Sequence, residues 1–154
     1  MKLGYLIRGL PGHPLHPPLT DVTIGTYTFA TVAAFLNVIG VVDRSAAVAW
    51  WLALVVGLCS TALTATTGFF DWIELEWGST IWKKATWHLT VMLAASGVFL
   101  VAVLVGHHDY AKGIVGAGSF VLTVIGFALL TLGGWLGGAI VFVHGMRVTA
   151  SDES

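Results

Sequence analysis

Charge is scarce in this sequence. Only 10% of its 154 residues are Asp, Glu, Lys or Arg, 56% are hydrophobic, and the mean hydropathy is +0.87. A soluble domain carries about a quarter charged residues, so bulk composition alone points to a membrane protein. The formal net charge of −1 offers no basic surface and excludes nucleic acid as a natural partner. Cysteine is nearly absent: Cys59 stands alone inside an apolar run, so there is no disulfide framework and no CxxC metal knuckle. No nucleophile–base pair, phosphate loop or HExxH pattern argues for a hydrolase. The opening MKLGYLIRGL is too short and too interrupted for a cleavable signal peptide, so the first apolar run is expected to insert the chain and remain.

What is present is four apolar runs of bilayer-spanning length, about 20 residues or more. They cover about residues 19–42, 46–68, 85–106 and 115–143. Short links make successive runs antiparallel, which predicts an all-α, up-down-up-down four-helix membrane bundle in a single domain, with the lipid bilayer as its first partner. Lys2, Arg8, Lys83, Lys84 and Arg147 fall on one side and Arg44 and Lys112 on the other. That asymmetry predicts cytoplasmic termini. Trp72, Trp77, Trp82 and Trp87 flank the second link as an interfacial belt.

Small residues mark the contact faces. Gly133, Gly134, Gly137 and Gly138 form two overlapping GxxxG patterns, which allow close backbone approach within the chain, to a second copy or to another subunit. Gly57, Ser60, Thr61, Thr64, Thr67 and Gly68 make a small polar stripe that ends near Asp71.

Histidine is placed unusually. His13 and His16 lie in GHPLHPP, just before the first run, and each precedes a proline, which favours extended or polyproline II backbone. Pro17 or Pro18 then suits a first helical turn. His88 sits in the apolar segment ATWHLTVML and His144 closes the fourth run. The topology brings these four to one layer of the bundle, together with Asp21 and Asp71. Ionisable groups at membrane depth are costly, and a cluster of them is a functional candidate by default.

A haem b needs one or two imidazoles and an apolar slot. Here His88 and either His13 or His16 could supply the imidazoles, in a slot lined by Gly25, Thr64, Thr67 and Gly133. Asp21, Thr67 and Asp71 could orient the ligands, though Asp21 also suits a helix start. A non-haem transition metal on His88 and His16 with a carboxylate is a rival, and a packing network without a cofactor is another. A core His88 bonded to Thr67 or Asp71 is the plain structural alternative. His107 and His108, beside Asp109, read as a wet loop at the opposite rim.

The chain resembles a bacterial four-helix membrane family of unknown function (domain of unknown function 2231). The resemblance rests on GHPLHPPLTDVTIG, TGFFDW, the third-run His88, and GGWLGG followed by HGMRV. Asp21-Val22-Thr23 lacks a proline that members often carry, and Lys83 and Lys84 replace a pair of arginines. The resemblance implies a bacterial plasma-membrane location. Because some relatives are joined to Rieske or cytochrome c domains, it also implies service near electron transfer. The reading that follows is a haem b-binding electron-transfer subunit working with a respiratory partner or quinone. The alternatives are a non-catalytic accessory or assembly subunit and a non-haem metal protein.

Overall fold

The computed structural model describes Tyr5, residues 9–10 and residues 13–146. A two-residue antiparallel pair, β1 (Gly9–Leu10) with β2 (His13–Pro14), leads into four helices: α1 (His16–Val38), α2 (Arg44–Trp72), α3 (Thr80–Tyr110) and α4 (Ala117–Phe142). All four are long and apolar enough to cross a membrane. The 23 residues of α1 alone rise about 35 Å, against a hydrocarbon core of about 30 Å.

Three helices start ahead of their apolar runs, α2 and α3 also end beyond theirs, and α4 stays within its own; the early starts of α1 and α3 have local reasons. Pro17 and Pro18 fall in the first turn of α1, where amides have no intrahelical acceptor, so the proline-rich stretch starts the helix instead of preceding it. His16 is therefore helical and not extended, and Thr20 Oγ1 donates to its carbonyl at 2.9 Å. Asp21 lies in the second turn and caps nothing. At α3, Ser79 accepts from Trp82 N at 3.1 Å, which starts the helix in polar sequence. Asp71 belongs to the last turn of α2, not to the link after it.

The bundle is small inside and large outside. Ala30, Ala34, Ala47, Ala95 and Ala102 are buried around Tyr27, Trp50, Leu54 and Phe99, while Phe29, Phe35, Leu63, Leu104 and Phe142 face outward. Lipid is as apolar as these outer side chains, so close backbone packing holds the helices together. The tightest packing joins α1 to α2 and α3 to α4, giving two helical hairpins that meet each other less extensively.

The second hairpin repeats the first. His16 and His88, Gly25 and Gly97, Tyr27 and Phe99, Ala30 and Ala102, and the helix ends Val38 and Tyr110 are each 72 positions apart. Gly57 and Gly126, Thr64 and Gly133, and Gly68 and Gly137 are each 69 apart. The contacts repeat with the positions. Tyr27 lies on Gly57 as Phe99 lies on Gly126, and His16 lies on Gly68 as His88 lies on Gly137. At the far end, Asn37 joins the two short links: its Oδ1 accepts from Val115 N at 2.8 Å, and its Nδ2 donates to the carbonyls of Asp43 and Gly113 at 2.9 and 3.1 Å.

Candidate functional site

A cavity of about 360 Å³ opens between the hairpins at the end of the bundle where α1 starts. All four helices line it. Its walls are mostly apolar (Ile24, Leu89, Met92, Ile140), with polar groups from His16, His88, Asp21 and Asp71 and from threonines on α1 and α2. On α2 and α4 the wall is low: Ala65, Gly68, Gly134, Gly137 and Gly138 leave room that longer side chains would fill.

The two imidazoles are held alike. His88 Nδ1 lies 2.8 Å from the Gly133 carbonyl, and His16 Nδ1 lies 3.0 Å from the Thr64 carbonyl. Each of these carbonyls is one turn before the glycine under the ring. A β-carbon at Gly137 would sit 2.9 Å from His88 Cε1, and one at Gly68 would sit 2.6 Å from His16 Cε1. Glycine is therefore what lets each ring reach the backbone of the neighbouring helix.

A carbonyl oxygen can only accept, so Nδ1 is the donor in both rings, and in the neutral imidazole Nε2 then keeps its lone pair. Neither Nε2 has a hydrogen-bond partner among the described residues. Tethering one ring nitrogen to a carbonyl is the usual way a protein orients an imidazole whose other nitrogen binds a metal.

The halves differ in detail. His16 Nδ1 also lies 3.2 Å from Thr67 Oγ1, which itself donates to the Thr64 carbonyl at 2.9 Å. Thr64, Thr23 and Ser60 continue a line of hydroxyl contacts along the α1–α2 interface at 3.0 and 3.1 Å. The matching positions of the second hairpin are Gly133, Ala95 and Leu129, which carry no hydroxyl.

Of the four histidines read from the sequence as one layer, the structure brings two to the cavity. His13 is exposed in β2 and lies outside the lining, and His144 follows α4, its Nε2 enclosed without a partner among the described residues. His88 bonds to Gly133, not to Thr67 or Asp71; Thr67 serves His16 instead. Asp71 is buried on the cavity wall, and Asp21 is exposed at its edge. Gly133 lies beneath Met92 and Val91, while nothing falls within 4 Å of a β-carbon at Gly25 or Gly134. Arg147, counted in the charge asymmetry, lies outside the described residues, as do Lys2 and Arg8.

Sequence reading missed Gly68 and Gly137 as seats for the imidazoles. The signal was present: an aromatic residue follows each histidine by eleven positions, and a second glycine precedes each seat by eleven. Eleven residues is close to three helical turns, about 16 Å.

These features define a four-helix membrane protein with a histidine-lined cavity between two equivalent hairpins. The chain belongs to the family described as a predicted membrane protein (DUF2231), whose profile matches residues 12–150. No curated protein and no solved structure matches it significantly.

Proposed function

We propose that the cavity holds a haem b between His16 and His88, and that the protein carries electrons within the bacterial plasma membrane for a respiratory partner or quinone. The observation that carries this reading is the pair of imidazoles from opposite hairpins, each with Nδ1 tethered and Nε2 unbonded. A haem with two axial histidines asks for that pair and for flat, apolar surroundings. The low walls at Ala65, Gly68, Gly134, Gly137 and Gly138 and the apolar side chains of Leu89 and Met92 suit such a ring. Bound there, haem would supply one-electron chemistry; the chain would supply orientation, an apolar shell and exclusion of water. Among the described residues no three His, Cys, Asp or Glu side chains come together to hold a metal, so a non-haem ion would find only a sparse set of protein ligands.

The test is expression with haem supply, purification in mild detergent, and oxidised and dithionite-reduced spectra with metal analysis on the same sample. A Soret band that shifts on reduction, near one haem per chain, and its loss in His16→Ala and His88→Ala, is the expected result. Colourless protein without stoichiometric metal would overturn the reading and point to an accessory subunit.

A further inference from the structure

The outer face of α3, away from the cavity, breaks the repeat. Lys83, Trp87, Thr90, Ala94, Gly97 and Val101 follow one another at intervals of four and three residues, so they form a single row along the helix. All six are exposed. The counterparts of the first three, 72 positions earlier, are Pro11, Leu15 and Pro18, and Val22 stands where α3 has Ala94. The second hairpin therefore carries a cation and an indole at the head of this row, and less bulk below them.

The head of the row holds positive charge without a protein partner. Lys84 lies 100° round the helix from Lys83, so Trp87, 66% exposed, stands one turn below and between them. Neither lysine forms an ion pair or a hydrogen bond among the described residues, whereas Lys112 at the opposite rim lies 3.5 Å from Asp109.

Below the head the row is a trench. Thr90 donates its hydroxyl to the Thr86 carbonyl at 2.9 Å, Ala94 adds one methyl, and a β-carbon at Gly97 would have nothing within 4 Å. Val101 closes the far end. Gly97 is ten residues below Trp87, about 15 Å along the helix, which is half of a hydrocarbon core of about 30 Å. The trench is as deep as one leaflet. A partner helix would run on across both leaflets, and a second copy inserted in the same sense would set both lysines against their own copies.

We propose that this face binds one anionic phospholipid, with its phosphate between Lys83 and Lys84, its glycerol region against Trp87, and one acyl chain in the trench down to Gly97. Anionic headgroups are what lysines at a membrane surface attract, and indoles sit at headgroup level. The site is separate from the cavity and independent of the haem reading.

The test is native mass spectrometry of the delipidated full chain in a non-ionic detergent, titrated with dipalmitoyl phosphatidylglycerol or dipalmitoyl phosphatidylcholine. One phosphatidylglycerol per chain is expected, held about tenfold more tightly than phosphatidylcholine. Lys83→Gln and Lys84→Gln each weaken it about fivefold, the weight of one lysine at an anionic surface. Gly97→Leu weakens it about fivefold as well, through roughly five to ten lost atom contacts along the chain. Gly25→Leu, at the equivalent open position of α1, leaves it unchanged, and size-exclusion profiles confirm that all variants stay folded. Equal retention of the two lipids marks ordinary boundary lipid. Displacement by glycerol phosphate marks a headgroup site without a chain, and a Gly97-dependent dimer gives the face to a second copy. Each of these outcomes overturns the inference.

Discussion

Tyr27 stacks on Phe99 with ring centroids 4.1 Å apart and planes within 14°, although one belongs to each hairpin. Both rings are fully buried, and each fills the space left by a glycine on its partner helix, Gly57 or Gly126. This pair is the centre of the repeat. Three turns along the same helices stand His16 and His88, so the contact that aligns the two hairpins also sets the two imidazoles at one level.

The glycines beneath the central rings are predicted to be intolerant of a single methyl. A β-carbon at Gly57 would meet Tyr27 at 2.5 Å, and one at Gly126 would meet Phe99 at 2.7 Å. Gly57→Ala and Gly126→Ala should each destabilise by about 1–3 kcal/mol, the usual weight of overpacking. Gly25→Ala and Gly97→Ala meet nothing and should be neutral or stabilising by up to about 1 kcal/mol, because glycine is a poor helix former. Thermal unfolding in one detergent ranks all four.

The tautomer of the two histidines is a direct prediction. Nitrogen NMR of imidazole-labelled protein should show His16 and His88 with Nδ1 protonated and Nε2 bare before any ligand is added. Gly68→Ala and Gly137→Ala push the rings off their carbonyls and should remove that signature at the matching histidine only. A proton found on Nε2 in the parent protein would contradict the geometry.

Asn37 should be the polar side chain most costly to lose at the far end. Asn37→Leu removes the bonds to Asp43, Gly113 and Val115, with an expected cost of about 2–3 kcal/mol. Asn37→Asp keeps the acceptor for Val115 N but turns a carboxylate oxygen toward the carbonyls of Asp43 and Gly113, and should lose at least as much. Denaturant titration of both variants in the same micelle compares them.

Orientation can be read by labelling. The distribution of Lys and Arg predicts that link 73–79 faces the cytoplasm and link 39–43 the opposite side. With Cys59→Ser as background, a membrane-impermeant maleimide should modify Ser45→Cys in intact cells and Glu76→Cys only after permeabilisation. The reverse pattern would invert the protein in the membrane.

Much of the fold was legible in the sequence because a bilayer leaves few solutions. Backbone polar groups in lipid must be bonded within the segment, so four long apolar runs with short links can hardly be other than a helical bundle. Helix ends were less legible. Hydropathy does not see a proline-started turn at His16 or a serine cap at Ser79, and both lengthen helices into polar sequence.

By itself, the sequence determined the four spans, their antiparallel order, and that histidines gather near one end. It could not decide which histidines meet. His13 and His16 are three residues apart in a nearly repeated motif, yet only His16 falls on the α1 face that packs against Gly68. Nor could it divide the work of four adjacent glycines. Gly133 and Gly137 pack beneath Met92 and His88, whereas Gly134 and Gly138, 100° further round the helix in each case, line the cavity without a side chain packed on them. Helical phase and the pairing of two hairpins decide these things, and both belong to the packed molecule because each depends on residues some 50 positions away in the chain.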